Sequence, residues 1–256
     1  LTNIKHYLLL NVIMHKRFWE LDSLRAIAIA MMVVFHTLFL LNGSRIYSVN
    51  VYSGFWWWFA RITAGIFIFI VGISLTISSS KSPQIRRFLL RGIKVFALGL
   101  GITLVTWITL QDKYVLFGIL HLIGIVIIIG YFCVRFRLLN LALGIGCIAA
   151  GIYLHNLRFS FGWLLWLGLL PEGYFPADYF PLLPWLGIAL LGIFFGKMLY
   201  PNGNRRFNVR EFHSPITKPL CFMGRHSLII YLIQWPIVMG ILLALKYDAM
   251  RSYLGF

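Results

Sequence analysis

The chain has 256 residues, of which 60% are hydrophobic and 12% charged, and its mean hydropathy is +0.85. A soluble domain carries about twice that share of charge, so a soluble globular fold is excluded and an all-α, polytopic membrane protein is expected. The formal net charge of +16 does not point to nucleic acid, because the basic residues lie in short loops between apolar runs.

The run at 7–14 is short and has no small-residue cleavage site, so no cleavable signal peptide is expected. The sequence starts at Leu1, with Met14 as an alternative start, so residues 1–13 support no structural expectation. The first span is expected near 22–41, within ELDSLRAIAIAMMVVFHTLFLL. Asp22 and Arg25 stand at its entrance and His36 lies deep inside it. Ionisable groups are costly in hydrocarbon and often mark a site. Arg25 and His36 are eleven residues apart, about three turns, so they share one face with roughly 16 Å between them.

The second span, near 56–78, opens with Trp56, Trp57 and Trp58, an aromatic belt with Arg61 just below it. Arg86, Arg87 and Arg91 lead into the third span, near 88–110. The fourth, near 115–132, carries His121 one or two turns from its start, and the fifth runs near 138–155. The Trp-rich run 159–170, bounded by Asn156 and Pro171, is too short to span and reads as an interfacial or re-entrant helix. The last two spans fall near 181–200 and 223–245, and Gln234 with Pro236 interrupts the latter. No hydrophilic stretch is long enough to fold alone, so residues 1–256 form one integral-membrane domain of seven spans.

Charge orients this arrangement. Sixteen Lys and Arg fall on the side of the N-terminus and five on the other, with Arg25 and Arg61 inside spans. The positive-inside rule then puts the N-terminus in the cytoplasm and the C-terminus outside, in the cell membrane. Small residues four apart, Gly192 with Gly196 and Ala142 with Gly146 and Ala150, are packing devices, and self-association into a homo-oligomer stays open. Cys133, Cys147 and Cys221 have no metal-ligand spacing, no phosphate loop or zinc motif occurs, and no metal is expected.

Against each candidate site residue stands a structural alternative. His36 is a base or nucleophile, or a histidine bonded to a neighbouring helix. His121 lines the same cavity from the same side, or sits at the interface. Arg61 holds a polar substrate, or snorkels to the surface. Gln234 is a cavity donor, or a partner for carbonyls freed by Pro236. Asp22 and Arg25 form a local ion pair, or Arg25 serves the site. Arg86, Arg87 and Arg91, like Arg205, Arg206 and Arg210, obey the positive-inside rule or bind a polyanion. The same buried polar residues would also suit a transporter's proton or solute path, and a lipid-binding scaffold is a third reading.

Five segments in order, RFWELDSLRAIAIAMMVVFH, ARITAGIFIFIVGISL, LFGILHLIGI, YFPLLPWLGIALLGIFFGK and MGRHSLIIYLIQWPI, carry a resemblance over nearly all of residues 17–245. Together they resemble the prokaryotic branch of the heparan-alpha-glucosaminide N-acetyltransferase catalytic-domain family, within the transmembrane acyltransferases. The resemblance implies acetyl transfer from cytoplasmic acetyl-CoA to an amine or hydroxyl of an extracytoplasmic, sugar-containing acceptor. It gives Arg25, Arg86, Arg87, Arg91, Arg225 and His226 as acetyl-CoA-binding candidates. It adds Trp185 to Arg61 and Gln234 on the acceptor side, with His36 and His121 catalytic. Lysosomal members use a histidine after the first span, whereas residues 42–60 here contain none. Those members carry asparagine at the position of His36, and prokaryotic relatives often show His-Gln where this chain has Gln234 and Trp235. An acetyl-histidine intermediate is therefore not carried over, and His36 as base or acyl carrier is the expectation.

Overall fold

The computed structural model describes residues 18–110, 114–173, 178–209, 215 and 217–245. Leu1, Met14, the basic residues Lys5, Lys16, Arg17, Lys113, Arg210, Lys246 and Arg251, and the C-terminus lie outside the described residues.

Among the described residues eight α-helices form an all-α bundle: α1 Trp19–Gly43, α2 Gly54–Lys81, α3 Ile85–Leu110, α4 Ile119–Cys133, α5 Leu138–His155, α6 Leu182–Leu199, α7 Thr217–Arg225 and α8 Ser227–Leu245. Their ends follow local chemistry. Ser44 closes α1, its backbone N–H and its hydroxyl both donating to the Leu40 carbonyl at 2.9 and 2.8 Å. Ser82 and Pro83 stop α2, since the residue before proline is driven out of the helical region.

Six helices, α1, α2, α3, α5, α6 and α8, are long and apolar enough to cross a membrane. The chain is a multi-pass membrane protein. The expected fourth span is shorter than the apolar run suggested: α4 has 15 residues, because Gly118 is extended and caps it. At ~1.5 Å per residue it rises about 22 Å, short of a ~30 Å hydrocarbon core. The expected short helix at 159–170 is also corrected. Only Leu165–Leu167 is helical there, a single 3-10 turn, and Gly168 at φ 127° ends it.

Side-chain register fixes the helix directions. Arg25 meets Ser74, His36 meets Gln234, and Leu40 packs with Leu242. Gly92 abuts Gly124 and Ile128, Gly130 abuts Leu75 and Ile193, and Gly151 abuts Pro184. Helices α1, α3, α5 and α8 therefore run one way, and α2, α4 and α6 the other. Arg86, Arg87, Arg91, Arg135, Arg137, Lys197, Arg205, Arg206 and Arg225 collect at one end of the bundle, its basic end.

The core lies between α2, α3, α4 and α6, around Ile68, Leu75, Phe88, Leu122 and Ile193. Helices α2 and α6 touch backbone to backbone: a Cβ on Gly72 would lie 2.2 Å from the Ala189 carbonyl oxygen, and one on Gly192 2.3 Å from that of Phe69. Gly196 packs the same way on Thr76, so the Gly192–Gly196 pair is a packing face. In the row Ala142, Gly146 and Ala150, Ala142 and Gly146 are exposed and Gly146 has open space around it, while Gly144 and Gly151 pack on α6. The outer surface is apolar, with Ile93, Leu104, Ile145, Ile152, Ile233 and Ile241 exposed, as a lipid-facing surface requires.

Candidate active site

The Arg25–His36 stripe lines a cavity. This space of about 230 Å³ runs between α1, α2, α3, α4, α8 and the segment 178–180. Arg25, Ser74, Arg91 and Ser227 border it toward the basic end, and His36, Thr63, Asp178 and Tyr231 toward the other. Phe35, Phe67, Val71, Leu75 and Ile123 wall the middle. Eleven residues of α1 separate Arg25 from His36, roughly 16 Å. A second hollow, among Val33, Thr37, Leu38, Tyr47, Val49 and Trp56, is open and mostly apolar and holds no charged group.

At the basic end, Arg25 donates to Asp22 Oδ1 at 2.8 Å and to the Ser74 hydroxyl. Asp22 is buried, and its other oxygen lies 3.5 Å from Arg225 Nε. One carboxylate thus holds two guanidinium groups from α1 and α7 near the cavity mouth. Arg91 lines the cavity from α3, while Arg86 and Arg87 are exposed on the turn before it. His226 Nδ1–H donates to the Phe222 carbonyl at 2.9 Å, and its ring lies tilted against Phe222, next to the lining residue Ser227. Arg205 is committed elsewhere: it forms a two-pronged pair with Glu20, which also accepts from the Tyr200 hydroxyl at 2.9 Å.

At the other end, Gln234 Nε2 donates to His36 Nδ1 at 2.5 Å. In this amide orientation the nitrogen can only donate, which pairs with a lone pair on Nδ1 and an imidazole proton on Nε2. Gln234 is buried, and its Oε1 has no hydrogen-bond partner among the described residues. The His36 ring is boxed by Phe35, Tyr231 and Trp235, with centroids 6.2 to 6.4 Å away.

Asp178 escapes sequence reasoning and faces the same cavity. It stands in the loop before α6, and hydropathy says nothing about which loop residue folds inward. A signal was present: it is one of only seven acidic residues and is flanked by aromatics in YFPADYF. The loop is pinned here, since Tyr179 bridges to Phe117 and the Phe180 N–H donates to the Phe117 carbonyl at 3.0 Å. A Cβ on Gly118 would lie 3.0 Å from Asp178 Oδ2, so the carboxyl stands close against the α4 N-terminus. Burial pushes the Asp178 carboxyl up to about 6.

Residues 17–236 match the sequence model of the catalytic family of heparan-alpha-glucosaminide N-acetyltransferase. The chain belongs to this family. No curated protein and no solved structure matches it. The membrane bundle is accordingly a transmembrane acetyltransferase, and its cavity is the candidate place of transfer.

Of the sequence candidates only Arg25, His36 and Arg91 line the cavity of the acetyltransferase, and His121, Arg61 and Trp185 are engaged away from it. His121 is buried on the far side of α4, against Phe96 and Phe117, so it does not join His36. Its Nδ1 accepts from the Gly118 N–H at 3.2 Å, and its Nε2 faces the Thr103 hydroxyl at 3.4 Å, which donates to the Val115 carbonyl at 2.6 Å. Both ring nitrogens thus tie the entry of α4 to α3. Arg61 lies over its own neighbour Trp57, 3.3 Å from the ring centroid, and donates to the Trp57 carbonyl at 3.4 Å. Trp185 is buried behind Phe180, ring to ring at 5.0 Å, and supports the wall without lining it. Among the described residues no cluster of three or more His, Cys, Asp or Glu is placed to hold a metal ion.

Proposed function

We propose that this acetyltransferase takes acetyl groups from acetyl-CoA at its basic, cytoplasmic end and passes them to an amine or hydroxyl of a sugar-containing acceptor beyond the cell membrane. The observation that carries this reading is the single cavity joining Arg25 and Arg91 at the basic end to His36 near the other. The sixteen-to-five charge bias supports a cytoplasmic basic end. Arg25, Arg91 and Arg225, with Arg86 and Arg87 just outside, offer guanidinium groups to the CoA phosphates. The apolar middle, walled by Phe67, Val71 and Ile123, suits the arm of CoA, with the thioester beside His36.

The reaction is then a direct transfer. The acceptor heteroatom attacks the thioester carbonyl carbon, the C–S bond breaks, and CoA leaves as its thiolate and is protonated from solvent. In the tautomer that Gln234 selects, His36 Nε2–H is a donor, and it stabilises the carbonyl oxygen as negative charge builds there. A base or an acyl carrier needs a lone pair on Nε2. We infer the donor role for His36 in place of the base or acyl-carrier role expected from sequence.

The test is release of free CoA from acetyl-CoA by purified protein supplied with glucosamine. His36→Ala is expected to lower kcat by about 10²- to 10³-fold, the usual cost of losing one such donor, with acetyl-CoA binding retained. Wild-type turnover by a folded His36→Ala protein would contradict the reading.

A further inference from the structure

We infer that Asp178 is a catalytic residue of this site, its carboxylate taking the proton that the acceptor loses as the new bond to the acetyl carbon forms. The inference rests on the acetyl-transfer reading and supplies what that reading lacks. If His36 Nε2 already carries a proton, another group must accept one. Asp178 lines the cavity at the His36 end, on the side from which an acceptor beyond the basic face would arrive. Among the described residues its carboxyl has no hydrogen bond or ion pair, so nothing in the fold uses it as a structural anchor.

A carboxyl without a partner is costly to bury, and this one is held in place by specific contacts. The 117–180 backbone pairing fixes its loop, and Gly118 leaves room for Oδ2 at the start of α4. Tyr231 lies within its electrostatic reach and against the His36 ring, so the three groups share one end of the cavity. The other ionisable groups around it are placed apart: His121 on α4 is turned away and bonded at both nitrogens, while Arg25 and Arg91 border the opposite end.

Atoms and charges balance. The X–H proton goes to an Asp178 oxygen, the X–C bond forms, the C–S bond breaks with its electron pair on sulfur, and the proton later passes to solvent. The raised carboxyl titrates near 6, so below that pH it is protonated and unable to accept. The rate should therefore fall on the acid side, with a limb near 6.

The test compares wild type, Asp178→Asn and Asp178→Glu with two probes, glucosamine and hydroxylamine, whose nitrogen attacks unassisted. For Asp178→Asn we expect kcat with glucosamine to fall at least 10²-fold and the acid limb to vanish. Transfer to hydroxylamine should stay within about three-fold and acetyl-CoA binding should be unchanged, while Asp178→Glu regains part of the glucosamine rate. Equal loss with both probes, or equal retention with the limb intact, would overturn the role of Asp178 alone. Wild type inactive with both probes would overturn the acetyl-transfer reading, and this inference with it.

Discussion

Gln234 decides what His36 can do. An amide donating to Nδ1 leaves the proton on Nε2, whereas a carboxylate there would demand the proton on Nδ1 and strip Nε2 bare. Gln234→Glu keeps the shape and reverses the tautomer. The donor role predicts that Gln234→Glu loses kcat about as severely as Gln234→Leu, with acetyl-CoA affinity little changed. If steady-state rates showed Gln234→Glu at or above wild type, His36 would be a base or acyl carrier. At this scale the sequence was informative where periodicity applies: the eleven-residue spacing does place Arg25 and His36 on one cavity. It was blind to facing. His121 has a depth like that of His36, yet it looks toward α3 and closes its own loop. Asp178 was invisible because its position depends on a loop pairing with Phe117, a contact between residues far apart in the chain.

At the scale of elements, the α2–α6 crossing holds the cavity wall on α2 against the core. Gly72 and Gly192 meet there with backbone atoms on both sides, and backbone does not yield as a flexible side chain does. Gly72→Ala should cost about 1–3 kcal/mol or more, as overpacking does. It should appear as a lower melting temperature and poorer yield in detergent, while Gly101→Ala, with open space around it, should behave as wild type. A Gly72→Ala protein as stable as wild type would refute the close crossing. Span positions were legible because bilayer thickness sets a length that hydropathy reads directly. Element ends were less so. Apolarity continues through residues 115–118 and 159–170, but Gly118, Gly168 and Pro171 break the helix there, and an average over a window does not register single breakers.

For the whole molecule, one cavity runs from Arg25 and Arg91 to His36 and Asp178. Charge collects at the end where Arg25, Arg91 and Arg225 stand, and the opposite end carries His36 and Asp178. This polarity was legible in the sequence, since loop charge needs no tertiary contact to be counted. The continuity of the cavity was not, because it depends on five helices and a loop meeting around the stripe. The direct test uses sealed proteoliposomes with acetyl-CoA outside and glucosamine enclosed. Molecules oriented with the basic end outward should produce N-acetylglucosamine in the lumen and free CoA outside. Acetylation only when both solutes share one side of the membrane would contradict transfer through the cavity.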